Sequence, residues 1–276
     1  MEKILLALNA NRYDSTAAVT NNALEFAAYI AKLNRSKITG IFLSNEELEP
    51  AGNAAYSQQA ITTNGTSIKS PIKQSMRQFE DACLTMGARC EVHYTHGLPQ
   101  DELLRETRFA DLLILDAELS FKNRPEATPT SFVREVLSKS ECPVIIAPYT
   151  FNGIDEIVFA YDGSASAVFA IKQFTYLFPN YIDKKITILQ VNKEEDMPVA
   201  EKERIGALLQ LHYASIRYER LQGTADSELF AYLLNRKNSF LIMGAFGRGL
   251  VSDFFRPSTA SLLVKTINHP IFIAHH

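Results

Sequence analysis

The stretch EIVFAYDGSASA, residues 156–167, combines a short apolar run with a turn and the beginning of a helix. Such a run predicts a β-strand that is buried on both faces, as strands of parallel sheets are. Asp162 ends the strand, and Ser164 is placed to cap the next helix by accepting a backbone hydrogen bond. That helix, 166–178, is predicted from apolar residues at helical spacing, which are Ala167, Ala170, Ile171 and Phe174. The stretch therefore predicts the strand–turn–helix unit of an α/β fold.

A similar pattern occurs at the start of the chain, and most of the sequence repeats with it. KILLALN (3–9) matches EIVFAYD (156–162), and four further pairs follow in the same order. They are KITGIFLSN (37–45) with KITILQVNK (185–193), HGLPQDELL (96–104) with QGTADSELF (222–230), DLLILD (111–116) with SFLIMG (239–244), and CPVIIA (142–147) with HPIFIA (269–274). The offset is 153 residues for the first pair, 148 for the second and 126 to 128 for the rest. We therefore predict two similar domains, 1–150 and 151–276.

Each half alternates apolar runs with longer stretches of helical periodicity, such as AAVTNNALEFAAYIAKL (17–33). Parallel strands covered by helices on both faces produce this alternation, and their crossovers are right-handed. The predicted fold class is α/β, with two doubly wound parallel five-stranded sheets in tandem. Such sheets bind ligands outside the carboxyl ends of the strands, where the winding direction reverses. The loops after the first and fourth strands of each half are therefore the predicted binding loops.

The first half has about twenty extra residues between its second and third strands. They include PAGNAAYSQQAITTNGTSIKSP (50–71), which is polar and rich in turn-forming residues and predicts an excursion on the surface. A contact surface for another molecule and a disordered loop both agree with this composition.

The composition of the 276-residue chain is that of a globular protein, with 46% hydrophobic and 21% charged residues. A net charge of −3 and the absence of any block of five like charges argue against nucleic-acid binding. No apolar stretch approaches membrane length, and the apolar run at the N-terminus is too short for a signal peptide, so we expect a cytosolic protein without membrane contact. Cys83, Cys90 and Cys142 are odd in number and lack metal-binding spacing, which predicts buried thiols and no metal site.

The second half carries a glycine-rich segment after its fourth strand, GAFGRGLVSDFFRPST (244–259). Gly244 and Gly247 would let a ligand approach the backbone closely, because glycine has no Cβ. Ser258 or Thr259 falls where a helix would begin, and a helix N-terminus offers free amides to an anion. A sharp turn from strand to helix also uses glycine, so a plain turn explains the pattern equally well.

These motifs together resemble those of the universal stress protein family. The matching residues are the D-G-S-x-x-A motif (Asp162, Gly163, Ser164, Ala167), the end of the second strand (Gln190, Val191) and the late G-x-x-G, followed nine residues later by a small residue and serine. Because the repeat covers nearly all residues, the whole chain resembles a tandem protein of this family. The resemblance implies two adenine nucleotide α-hydrolase-like, Rossmann-like domains and a role in the stress response.

The resemblance also implies ATP, with magnesium, as a candidate ligand of the second half. Asp162 would lie near the ribose, and the backbone of Val191 would meet the adenine. The triphosphate would be bound around three residues, which are Gly244, Gly247 and Ser258.

The family pattern G-2x-G-9x-G-[S/T] is broken in this chain, because Pro257 stands in place of the third glycine. Proline has no N–H to donate to a phosphate, although it suits the first turn of a helix. Since one hydrogen bond contributes roughly 0.5–1.5 kcal/mol, we expect a site that is weakened and not abolished.

The first half departs further from the family pattern. Asn9 aligns with Asp162, Asp116 with Gly244, Leu119 with Gly247, Pro129 with Pro257 and Thr130 with Ser258. The carboxylate of Asp116 would repel phosphate, and the side chain of Leu119 would block a close approach. We therefore predict that the first half binds no nucleotide triphosphate.

No sequence motif of an enzyme is found, whether a Walker loop, HExxH, GxSxG or the kinase set, so we expect a protein without catalytic activity. The alternative to nucleotide binding is a nucleotide-free scaffold that acts through protein–protein contacts. Domains of the family commonly pair through their last strands, so PVIIA (143–147) and PIFIA (270–274) are expected to pair within the chain as a pseudo-dimer. A homodimer of two chains is a further option.

Overall fold

The helices and strands of the first half follow the order predicted from the repeat. The computed structural model describes residues 1–12, 18–45, 62–63, 66–67, 70–95, 97–191, 198–223, 225–244 and 268–274 of the chain. The first half comprises β1 (Lys3–Asn9), α1 (Ala18–Asn34), β2 (Lys37–Leu43), β3 (Thr62–Thr63), β4 (Thr66–Ser67), α2 (Ser70–Thr85), β5 (Cys90–Tyr94), α3 (Pro99–Thr107), β6 (Leu112–Leu115), α4 (Ser131–Lys139) and β7 (Val144–Ile146).

The second half repeats this order in its described residues. It comprises β8 (Glu156–Tyr161), α5 (Ala165–Leu177), a 3-10 turn (Pro179–Tyr181), β9 (Lys185–Val191), α6 (Val199–Gln210), β10 (Ile216–Leu221), α7 (Ala225–Leu234), β11 (Ser239–Gly244) and β12 (Ile271–Ala274). The predicted first strand and first helix of this half are therefore both present.

The two halves share one ten-stranded sheet, in the order β10-β9-β8-β11-β12-β7-β6-β1-β2-β5. Each half contributes five parallel strands, and the winding direction reverses beside β1 and beside β8. Strands β7 and β12 pair antiparallel, with Ile146 opposite Ile271 and Val144 opposite Ile273. The two predicted five-stranded sheets are thus joined through the predicted pairing of their last strands, which leaves neither apolar strand as an open edge.

The strand register confirms the repeat inferred from the sequence. In the first half, Ile4 lies opposite Ile38 of β2 and Leu112 of β6. In the second half, Ile157 lies opposite Ile186 of β9 and Phe240 of β11. These residues are related by the offsets of the matching segments, so equivalent positions of the two halves can be compared directly.

The core consists of two apolar layers, one on each face of the sheet. The predicted inner faces of the first helices are buried, at Leu24, Ala27, Ala28 and Ala31 of α1 and at Ala167, Ala170, Ile171 and Phe174 of α5. The layer under these helices is continuous between the halves, because the ring of Phe26 lies 6.1 Å from that of Phe240. Burial of this apolar area is the main stabilising term, and it acts on both halves together.

The cysteines are free thiols, as predicted from their spacing. Cys83 and Cys142 are buried and Cys90 is half-buried, and burial raises the pKa of the Cys142 thiol to about 12. The described residues contain no helix long and apolar enough to cross a membrane. In the same part of the chain, no three His, Cys, Asp or Glu side chains are grouped to hold a metal ion.

The extra segment of the first half, 50–71, lies largely outside the described residues. Its described part is the short antiparallel hairpin of β3 and β4 and the beginning of α2 at Ser70.

Candidate functional site

Three of the predicted site residues lie together at the carboxyl edge of the second half. Asp162 directly follows β8, Val191 ends β9 and Gly244 ends β11. These strands are neighbours in the order β9-β8-β11, so the three residues flank the point where the winding direction reverses. Gly247 and Ser258 lie outside the described residues.

The turn after β8 is fixed by side-chain hydrogen bonds. The backbone N–H of Ser164 donates to Oδ1 of Asp162 at 2.9 Å. The Oγ of Ser164 in turn accepts from the N–H of Ala167 at 3.1 Å, which is the predicted cap of α5. Gly163 has a φ of 82°, a conformation that favours glycine. The turn therefore holds the Asp162 carboxylate at the end of the strand.

Gly244 has a packing role that the sequence did not reveal. A Cβ at this position would lie 2.4 Å from the carbonyl carbon of Ser166 and 2.5 Å from the nitrogen of Ala167. The first turn of α5 therefore packs directly on the end of β11, and only glycine fits there without a shift of the backbone. This contact gives the glycine a structural reason that is independent of any ligand.

A tyrosine and a glutamate that no sequence motif marks also lie near this edge. The hydroxyl of Tyr161, the last residue of β8, donates to Oε2 of Glu201 at 2.8 Å. Burial, reinforced by this carboxylate, raises the pKa of Tyr161. The bond ties α6 to the end of the strand that precedes Asp162.

The first half has the same turn with a different residue at its start. Oδ1 of Asn9 accepts from the N–H of Asn11 at 3.0 Å, as Asp162 accepts from Ser164. The amide Nδ2 of Asn9 donates to the carbonyl of Ser120 at 2.8 Å. A carboxylate has no hydrogen to donate, so the second bond is specific to asparagine.

Residues 116–131 form a loop across the carboxyl edge of the first half, which we term the closing loop. Three successive carbonyls of this loop accept hydrogen bonds from side chains at or just after the ends of β1 and β2. Asn9 donates to Ser120 at 2.8 Å, Asn45 to Phe121 at 2.7 Å and Arg12 to Lys122 at 2.8 Å. The loop is therefore anchored over the strand ends where the fold would place a ligand.

The residues predicted to exclude nucleotide from the first half belong to this closing loop. Asp116 accepts from the N–H of Glu118 at 2.6 Å, and burial raises its pKa to about 6. Leu119 is buried in the apolar layer under α4. Thr130 caps α4, because its Oγ1 accepts from the N–H of Val133 at 3.2 Å. The contacts of these three residues therefore stabilise the closing loop in its position over the strand ends.

A glutamate that the sequence analysis did not single out lies at the start of α4. Oε1 of Glu126 accepts from Oγ and N of Ser131, at 2.6 and 3.4 Å, and from Nζ of Lys122 at 3.0 Å. Its Oε2 accepts from Oγ of Ser120 at 2.6 Å. Burial alone would raise the pKa of this carboxyl, but the donors outweigh it and lower the pKa to about 2. Glu126 is therefore a bound anion at a helix N-terminus.

The linker between the halves contacts both the closing loop and the second half. The hydroxyl of Tyr149 donates to Oε1 of Glu118 at 3.0 Å. The next residue, Thr150, is bonded through its N–H and its carbonyl to the side chain of Asn268, with both distances 2.7 Å. Asn268 lies just before β12, so the linker connects the closing loop to the last strand of the second half.

The strand order identifies the chain as a tandem, doubly wound α/β protein. In each half the winding direction reverses once, at the kind of position where such sheets bind ligands. No family model matches the chain. A curated relative, a universal stress protein of Synechocystis sp., is 27% identical over 131 residues, which are 47% of this chain and 45% of the relative. The match thus spans about half the length of that relative.

Solved structures are similar in fold to the full chain. A universal stress protein from Archaeoglobus fulgidus superposes with a TM-score of 0.64 at 16% identity, covering 99% of this chain and 98% of the other. A protein from Pseudomonas aeruginosa, described as a universal stress protein by similarity, gives 0.56 at 13% identity, with 99% and 93% covered. The chain is thus similar in sequence to a universal stress protein over one half and similar in fold to universal stress protein structures over its full length.

Proposed function

We propose that the chain is a cytosolic stress-response protein whose second half binds an adenine nucleotide and whose first half does not. The observation that carries the proposal is the placement of Asp162, Val191 and Gly244 on three adjacent strand ends at the crossover. Doubly wound sheets bind nucleotides at this point. The equivalent edge of the first half is covered by the closing loop.

The proposed ligand is ATP with magnesium. Asp162 accepts hydrogen bonds from the ribose, and the backbone of Val191 contacts the adenine. The phosphates are bound around Gly244, Gly247 and Ser258. The role is binding and not turnover, because the described part of this edge brings no histidine to either Asp162 or Ser164.

Calorimetric titration of the purified full chain with ATP and magnesium tests the proposal. We expect saturable binding at one site per chain, lost in Gly247→Glu, because the added carboxylate would repel the phosphates. Gln210→Glu is the matched control, since it adds the same charge at the exposed end of α6, on the opposite edge of the sheet. Absence of heat up to millimolar ATP would contradict nucleotide binding, and equal binding by both variants would contradict a phosphate site at Gly247.

The release of inorganic phosphate tests the non-catalytic role separately. We expect the wild-type chain and Gly247→Glu to release phosphate from ATP at the same rate, equal to that of the buffer. Faster release by the wild-type chain alone would show an enzyme.

One observation favours the alternative, a nucleotide-free scaffold. The close contact between Gly244 and Ser166 explains the first glycine by packing alone. A scaffold would keep this glycine and the cap at Ser164 without any ligand. A folded chain that takes up no ATP in the titration would support this function.

A further inference from the structure

The carboxylate of Glu126 occupies the position where the fold would present an anion to the start of α4. Four donors surround it, which are Ser120 Oγ, Lys122 Nζ, Ser131 Oγ and Ser131 N. Its side chain is only 11% exposed. The arrangement has one positive charge, two hydroxyls and one helix amide, which is a donor set suited to an oxyanion.

The donors of this set are themselves held in place by the closing loop. The Nζ of Lys122 also donates to Oγ of Ser131 at 2.7 Å, and Oγ of Ser120 accepts from the N–H of Lys122 at 3.2 Å. The carbonyls of Ser120 and Lys122 are in turn anchored to Asn9 and Arg12. Loss of the carboxylate would therefore leave a cation and two hydroxyls facing each other, and the loop would lose its ion-paired attachment to the start of α4.

The second half lacks this carboxylate at the equivalent position. The gapless alignment of 112–131 with 240–259 places Phe254 opposite Glu126 and Thr259 opposite Ser131. In the aligned sequence a hydroxyl residue is kept at the position of Ser131, while an apolar residue stands at the position of Glu126. The two halves therefore differ in the group that would compete with an anionic ligand.

We propose that Glu126 is an internal substitute for an anionic ligand and that it keeps the closing loop shut over the first half. This inference concerns the first half alone, and it does not depend on nucleotide binding by the second half. The bound carboxylate neutralises Lys122 and accepts from the N–H of Ser131 in the first turn of α4, so a free anion would have to displace it to reach these donors.

Removal of the carboxylate, followed by rescue with inorganic phosphate, tests the proposal in the full chain. The test variant is Glu126→Ala. The control is Glu135→Ala, which removes an exposed carboxylate of the same helix that pairs with Lys139. Thermal unfolding is followed for both variants and the wild type in chloride and in phosphate at equal ionic strength. Amide hydrogen exchange of the closing loop is measured in parallel.

We expect Glu126→Ala to unfold at a lower temperature than Glu135→Ala and to exchange its closing-loop amides at least about tenfold faster, because charge-assisted hydrogen bonds are lost. Phosphate should restore the stability of Glu126→Ala in a saturable manner and stabilise it clearly more than the other two proteins, in which only the second half and the general salt effect respond. Equal behaviour of the two variants, or equal stabilisation of all three proteins by phosphate, would overturn the proposal.

If Glu126→Ala does not fold, Glu126→Gln keeps the test decisive. The amide preserves the side-chain volume but carries no charge, so the closing loop should still exchange faster while unfolding remains cooperative. Unchanged exchange in Glu126→Gln would equally overturn the proposal.

Discussion

Replacing Asn9 with aspartate, the residue at the aligned position 162, should release one anchor of the closing loop. The amide Nδ2 of Asn9 donates to the carbonyl of Ser120 at 2.8 Å. A carboxylate in the same place would turn a second acceptor towards that oxygen. The bond from the N–H of Asn11 to Oδ1 would remain, because aspartate accepts as asparagine does.

The magnitude follows from these two bonds. Leaving the part-buried carbonyl of Ser120 without this donor costs about 1–3 kcal/mol. We therefore expect Asn9→Asp to lower the free energy of unfolding by about 1–3 kcal/mol at pH 7. The matched control is Asp162→Asn, which makes the reverse change and keeps the bond from Ser164, so its effect should stay below about 1 kcal/mol.

Urea-induced unfolding at pH 4 and pH 7 measures the effect and its pH dependence. The carbonyl of Ser120 favours the protonated form of the introduced carboxyl, which then donates a hydrogen bond, so its pKa rises on folding. The destabilisation should accordingly be small at pH 4 and grow as the pH rises through that pKa. Equal losses in Asn9→Asp and Asp162→Asn at pH 7, or a loss that does not change with pH, would refute the reasoning.

Two further substitutions test the edges of the two halves. Burial raises the pKa of Asp116 to about 6, so the wild-type chain should lose stability as the pH rises from about 4 to about 6. In urea unfolding, the free energy of unfolding of Asp116→Asn should equal that of the wild type at pH 4 and exceed it at pH 8 by at most about 3 kcal/mol. A gap that does not widen with pH would contradict this. Gly244→Ala should lower the free energy of unfolding by about 1–3 kcal/mol, because its Cβ would lie 2.4 Å from the backbone of Ser166. The control is Gly206→Ala in α6, where the nearest atom is a side-chain hydroxyl at 3.1 Å, and it should change the free energy of unfolding by less than about 1 kcal/mol. Similar losses in both alanine variants would show that the contact at Gly244 is relaxed easily.

The fold was predictable because its signals are local or repeated. Each strand is a continuous apolar run, and the same runs recur at fixed offsets, so the order of strands in one half supports that in the other. The pairing of Ile146 with Ile271 also agrees with the prediction, since two apolar edge strands at the end of equivalent domains have few other ways to be covered.

The closing loop was not predictable, because its contacts depend on long-range geometry. Asn9 and Ser120 are 111 residues apart, and no spacing rule connects them. Glu126 lies only five residues before Ser131, but its contact requires a particular loop conformation. Gly244 was assigned to a binding loop from its sequence pattern, whereas its contact with Ser166 follows from how a helix packs on a neighbouring strand. The sequence patterns predicted that Asp162, Val191 and Gly244 lie at the ends of neighbouring strands, while their role in ligand binding stays a prediction.

Because the fold is repeated, the carboxyl edges of the two halves can have different functions. The halves share a sheet through β7 and β12 and an apolar layer through Phe26 and Phe240, so neither can lose its fold without exposing the other. In the first half the closing loop covers the strand ends and the start of α4, and it is held there by hydrogen bonds of Asn9 and Glu126. Since this loop also reaches the linker through Tyr149, its closed state stabilises the junction on which the second half depends. The closing loop thus gives the first half a structural function at the junction that does not depend on any ligand.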